Sequence, residues 1–267
     1  MLRQLDVPVA PQYVVFGMDS CRDMVDISAE EFYRRLASTR DLPTTSAPSA
    51  GDMQAIYQSV SQASPGAAIL SIHPSAEVSG TIRAAVSAKA LLPEVDIRVF
   101  DSRSAALGLG LMVLEAARMA SAGVSADDIL ARLAVLRDSM RVYFLVDTLD
   151  YLARGGRIGR ARHLLGTLLD IKPLLAVRDG VIEDCARYRT RPKAVAALTE
   201  RVIEDVGGRS GLHLGVIHSA EPARAQRLAD SLSAALAPAE LLIGELGPSI
   251  GVHVGPGVLG VCYYVDG

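Results

Sequence analysis

Short apolar runs alternate with longer amphipathic stretches along this chain. The runs at 13–16, 67–72, 96–100, 142–146, 212–217 and 259–265 have the length and the Val, Ile, Leu, Phe and Tyr content of strands. The helices are announced by their caps. Ser28 is followed by Glu31, and Ser125 by Asp128, the spacing at which a serine hydroxyl and an acid close a helix N-terminus; helices are predicted over EEFYRRLA and DDILARLAVLRDSM. Pro192 suits an early position of RPKAVAALTERVIEDV, and Glu221-Pro222 opens ARAQRLADSLSAAL. Asp179-Gly180, between PLLAV and VIEDC, signals a hairpin and so an antiparallel patch. The alternation predicts an α/β architecture with a mainly parallel sheet, doubly wound over the first 150 residues, followed by an α+β remainder. The expected division is an N-terminal domain at 1–155 and a C-terminal domain at 156–267.

Composition removes several function classes. A formal net charge of −3 gives no electrostatic case for nucleic acid, and 4% aromatics without Trp leave no base-stacking surface. Cys21, Cys185 and Cys262 are far apart and form no CxxC pair, which fits buried thiols in a reducing, cytoplasmic setting. The five histidines show no metal-ligand spacing, so no metal is expected. The N-terminal stretch lacks the apolar core of a signal peptide. The apolar segment 107–117 contains two glycines and is bounded by charge, so it reads as a buried helix rather than a membrane span.

The chemistry-bearing residues are scattered, and each admits a plain structural reading. In the segment 145–173, LVDTLDYLARGGRIGRARHLLGTLLDIKP, a helical turn stops at Gly155-Gly156 and Arg157 follows. Arg157 is either solvated after a helix end or aimed at an anionic group by glycines that allow positive φ and close approach. Thr44, Thr45 and Ser46 lie in a proline-bracketed loop, ordinary or holding a hydroxyl toward a ligand. Ser79-Gly80-Thr81 falls at a helix start, where Ser79 either caps the helix or joins its free N–H groups in an anion site. His73, at a strand end, reads as structural. His253 stands beside the glycine-rich turn Gly255-Pro256-Gly257, as a structural hydrogen-bonder or a histidine that charges near neutrality to meet an anion. Gly108-Leu109-Gly110 is not a dinucleotide fingerprint: Val113 replaces the third glycine, so these glycines are expected to serve helix packing.

Together with PTTSAPSAGD (43–52), ILSIHPSAEVSGTIRAA (69–85), VFDSRSAALGLGLMVLEAA (99–117), IKPLLAVRDGVIE (171–183) and HVGPGVLGV (253–261), the GGRI segment resembles the DegV family of lipid-binding proteins, in the same order and over nearly the whole chain. The resemblance implies two α/β domains with a fatty acid between them. It places the carboxylate on Thr45 and Ser79, beside the amide group at Gly80, with Arg157 and His253 as the positive side of the site. It implies a partner, the catalytic subunit of a fatty acid kinase, which phosphorylates the bound acid's carboxyl to an acyl phosphate for phospholipid synthesis. It implies no catalytic residue and no cofactor beyond the bound fatty acid, and it allows transient contact with a membrane. The residues Cys21–Ser28 match a later family segment better than its opening Asp-Ser motif. On that alignment a first strand and helix are missing, a sheet edge or pocket wall is exposed, and Asp19 and Ser20 carry no function.

Two hydroxyls, a helix-end amide group, one Arg and one His suit a carboxylate, with apolar helices lining a tunnel for its tail. Each buried methylene contributes about 0.8 kcal/mol, so a long chain binds tightly. Two other readings stand beside this one: a Ser/His acyl hydrolase using Ser79 and His253, although GxSxG is absent, and a carrier of another amphipathic carboxylic acid.

Overall fold

The computed structural model describes residues 7–39, 41–166 and 171–266. Residues 1–6 of the N-terminal stretch and 167–170 of the segment after Arg157 lie outside the described residues. The chain opens with β1 (Tyr13–Phe16) and β2 (Asp19–Arg22), then α1 (Ala29–Ser38) and β3 (Thr44–Ser46); β1 lies between β2 and β3, antiparallel to both. Next come α2 (Ala50–Ala63), β4 (Ile69–His73), α3 (Thr81–Ala90) and β5 (Ile97–Asp101), with β4 and β5 parallel. They are followed by α4 (Ala106–Ser121), α5 (Ala126–Ser139), β6 (Arg141–Leu145), α6 (Asp150–Arg154) and a 3-10 turn at Gly159–Leu164. The hairpin β7 (Lys172–Arg178) and β8 (Val181–Tyr188) leads to α7 (Arg191–Val206), β9 (Leu212–His218), α8 (Pro222–Leu236), β10 (Glu240–Glu245), α9 (Pro248–Val254) and β11 (Leu259–Val265). Six strands form one sheet in the order β10-β9-β11-β6-β7-β8.

The local rules hold. Ser28 and Ser125 accept from the N–H of Glu31 and Asp128 at 3.1 and 3.2 Å, as their spacing predicts. Ser49 and Asp52 close a further capping box on α2. Pro192 and Pro222 sit at the first positions of α7 and α8. Asp179 and Gly180 both take positive φ, 50° and 79°, as the two-residue turn of β7–β8 demands.

The α/β class stands, but parallel pairing is narrower than the alternation predicts. In the first 150 residues it joins β4 to β5, whereas β1, β2 and β3 are antiparallel. A two-residue link between β1 and β2 leaves no room for the crossover that parallel strands need. Strand β6 is paired antiparallel between β11 and β7, so it extends the later strands rather than a doubly wound N-terminal sheet.

The period of two along β6 and β11 separates the two faces of the large sheet. Tyr143, Leu145, Val261 and Tyr263 face α7 and α8, where they pack with Leu198, Val202, Leu228 and Leu232. Val142, Phe144, Cys262 and Tyr264 face α4 and α5, packing with Leu111, Met112, Leu133 and Leu136. Two smaller cores complete the molecule. One joins Val14 and Phe16 to Phe32, Leu36 and Val252, and the other joins Met53 and Tyr57 to Ile69, Ala85 and Ile97. Cys262 is buried, but Cys21 and Cys185 are only partly so, less buried than expected. Among the described residues no helix is long and apolar enough to cross a membrane.

Candidate functional site

Four distant segments meet around one cavity of about 720 Å3, and Thr45, Ser79, Gly80, Arg157 and His253 all line it. That volume lies in the range of small-molecule sites. The contacts among these segments close a ring. Thr45 Oγ1 lies 2.9 Å from His253 Nε2. The His253 ring lies against Gly155, where an added Cβ would stand 2.3 Å from Nδ1. Arg157, two residues on, donates from Nε to the carbonyl of Val78 at 3.1 Å, next to Ser79. Gly80 then faces Ala47, 3.7 Å from an added Cβ, which returns the ring to the Thr45 segment.

Each side chain is placed by a local feature of the sequence. Thr45 is on strand rather than loop: β3 pairs with β1, and Thr45 stands opposite Val14. His253 is carried by α9, whose N-terminus is held by Asp23. The Asp23 carboxylate accepts from the Ser249 N–H at 3.3 Å and from its hydroxyl. The paired glycines have separate tasks. Gly155 gives room to the histidine ring, and Gly156, at φ 69°, takes the left-handed turn that sends Arg157 back over the site. The Arg157 NH1 group also donates to the Gly155 carbonyl at 2.7 Å.

Ser79 does not cap α3. The cap position is Gly80, with no side-chain bond, and the Ser79 hydroxyl sits 3.4 Å from both the N–H and the Oγ1 of Thr81. The Arg83 and Ala84 N–H groups donate to the Gly80 carbonyl at 3.1 and 3.3 Å, so among the first-turn amides only that of Ile82 keeps capacity for an anion. Gly80 has an ordinary φ of −84°, so its value is the absent side chain, not its backbone freedom.

The electrostatics correct one expectation. Burial, and then the nearby Arg157, push His253 down to about 4. His253 is therefore neutral near pH 7 and acts as a hydrogen-bonding group; of this pair only Arg157 brings positive charge. The His253 Nδ1 is buried without a partner. His253 Nε2 is paired with Thr45 and the Ser79 hydroxyl with Thr81, and among the described residues no hydrogen bond joins Ser79 to His253.

Much of the rest of the wall is apolar. Met53, Ile56 and Val60 come from α2, and Leu109, Val113 and Ala117 from α4. Gly108 serves packing, as its sequence context suggests: an added Cβ would stand 3.0 Å from the Val142 side chain. Gly110 lines the cavity instead. No group of three or more metal-ligating side chains is found among the described residues. Asp23 was not singled out by sequence. It lines the cavity, is pushed upward by burial and leaves Oδ1 unpartnered, and the motif CRDMVDIS carries no spacing that marks it.

The fold and this cavity define an α/β ligand-binding protein with a polar anchoring ring and an apolar chamber. Solved structures of the same architecture bind fatty acids. A DegV family protein from Thermus thermophilus, described by its fatty acid binding, superposes with a TM-score of 0.93 at 34% identity, covering 100% of this chain and 94% of the other. DegV of Bacillus subtilis, described as a fatty acid binding protein, gives 0.92 at 32% identity, with 100% and 94% covered. A stearic-acid-binding protein from Eubacterium ventriosum gives 0.91 at 26%, with 99% and 93% covered. The model of the DegV family of uncharacterised proteins matches residues 1–266, and the chain belongs to that family.

Proposed function

We propose that this chain binds one long-chain fatty acid and presents its carboxyl group to a fatty acid kinase. The observation that carries the reading is the closed ring. Thr45, Ser79, Gly80, Arg157 and His253 are brought together from four segments at a largely apolar-walled cavity. In this reading Thr45 and Ser79 donate hydroxyl hydrogens to the carboxylate, and the N-terminus of α3 adds the positive end of its dipole. Arg157 supplies the charge that keeps the buried acid ionised. The neutral His253 ring fixes the Thr45 hydroxyl. The tail lies against α2 and α4.

The protein is a binder and not a catalyst in this reading, and the phosphoryl transfer belongs to the kinase catalytic subunit. Two features support presentation rather than storage. Arg157 is only half-buried, and Thr45, Ser79, Gly80 and His253 are likewise only partly buried, so a partner reaches them more readily than groups in a sealed core. The test is acyl-phosphate formation by the kinase subunit with this chain as fatty-acid donor. Arg157→Ala and His253→Ala are expected to lower turnover at least tenfold. Normal turnover by both variants would remove the presenting role.

A further inference from the structure

Among the buried polar side chains of the same cavity that the carboxylate ring leaves unused, three are bonded to one another. Tyr57 of α2 and Ser71 and His73 of β4 line it, at 3%, 8% and 6% exposure. They form a chain: Tyr57 Oη lies 2.6 Å from Ser71 Oγ, and Ser71 Oγ lies 2.7 Å from His73 Nε2. The strand period of two puts Ser71 and His73 on the face of β4 that also carries Ile69, toward α2. None of the hydrogen bonds shown links these three to Thr45, Ser79, Arg157 or His253.

Burial pushes His73 down to about 4, against the opposing influence of Asp101, so its ring is neutral and carries one N–H. The chain then holds three hydrogens: one on Tyr57, one on Ser71 and one on His73. Its two internal contacts consume two of them. Whichever tautomer His73 adopts, one hydrogen is left pointing out of the chain. Asp101, opposite His73 in the β4–β5 register, is engaged by the N–H groups of Arg103 at 2.9 Å and Ala76 at 3.4 Å. The remaining hydrogen needs an acceptor, the cavity that all three residues line is where one can be supplied, and three apolar residues of similar shape would fill this wall without that demand.

We propose that Tyr57, Ser71 and His73 form a second polar subsite of the cavity, which donates a hydrogen bond to an oxygen carried on the ligand's tail. The ligand class is an oxygenated long-chain acid, with a hydroxyl, keto or epoxide group along the chain. The inference rests on the fatty-acid reading above. The subsite runs from the end of β4 that leads into the Ser79 turn back along the strand to Ser71 and across to α2. It therefore meets the tail rather than the carboxyl group.

The test is a positional scan. Affinities of the wild-type protein are measured for hexadecanoic acid and for its monohydroxy and keto isomers, one position at a time. An oxygen in an apolar wall weakens binding about tenfold or more. The subsite predicts that one or two adjacent positions escape this penalty, binding at least as tightly as the parent acid. In Tyr57→Phe/Ser71→Ala/His73→Leu, the ratio of affinities at those positions to the parent falls about tenfold. A wild-type protein that binds hexadecanoic acid but penalises every position alike overturns the subsite and leaves the fatty-acid reading intact. A protein that does not bind hexadecanoic acid overturns both.

Discussion

The two faces of the six-stranded sheet are made from the same strands and finished in opposite ways. Toward α7 and α8 the side chains form a closed core: Leu198, Val202, Leu214, Val216, Leu232 and Val261 are fully buried. The two tyrosines on that face each donate to one carboxylate, Asp205, at 3.0 and 2.7 Å. Toward α4 the packing is incomplete, and Val142, Phe144 and Ile217 belong both to a core and to the cavity wall. The first face stores stability. The second gives up some packing to keep room for a ligand, which then supplies the missing apolar contacts.

The largest effect that separates the faces is a cavity cut into the sealed one. Leu198→Ala is expected to cost about 2–5 kcal/mol in denaturant unfolding while leaving ligand capacity of the folded fraction unchanged. A loss below 1 kcal/mol would show that the sealed face relaxes as freely as the open one. Gly155→Ala comes next. Its Cβ would stand 2.3 Å from His253 Nδ1 and 3.0 Å from the Tyr151 carbonyl oxygen, so the ring must shift and the Thr45 contact must break. A stability loss of about 1–3 kcal/mol and fatty-acid binding weakened at least tenfold are expected from titration of a fluorescent fatty acid. Unchanged binding would mean that His253 does not position the site.

A third effect concerns protons. His253 and His73 are both held near 4 in the folded chain, below the ordinary value of about 6.5. Between those values the unfolded chain binds more protons, so stability rises with pH. Their contribution is complete above about 6.5 and is lost as pH falls toward 4. Thermal unfolding midpoints should decline across that window, and His253→Gln should flatten the decline in part. An unaltered slope in the variant would show that His253 titrates alike in both states.

Much of this was legible in sequence where one residue's task is local. Capping serines, the Asp179-Gly180 turn and the strands at 13–16 and 259–265 follow from spacing and polarity alone. Three strands escaped that reading for physical reasons. Strand β2, Asp-Ser-Cys-Arg, is largely exposed and has no apolar alternation; β3 is three polar residues; β10 is an edge strand with a partly exposed face. The ring at the site was legible only through family likeness. Thr45 and His253 are 208 positions apart, and nothing in either segment's pattern names the other. The neutrality of His253 was hidden for the same reason, since it depends on burial and on a guanidinium that only the fold brings near. The trans cap of α9 by Asp23 belongs with it: a buried carboxylate in an unremarkable segment, whose partner lies 226 positions away.

The most direct test of fatty-acid binding is native mass spectrometry of the purified chain, followed by denaturation and lipid analysis of what is released. One fatty acid per chain, retained by the wild-type protein and depleted in Arg157→Ala, is the expected result. A wild-type protein that is empty, and stays empty after incubation with long-chain fatty acids, would contradict the assignment of the cavity and its ring to a fatty acid.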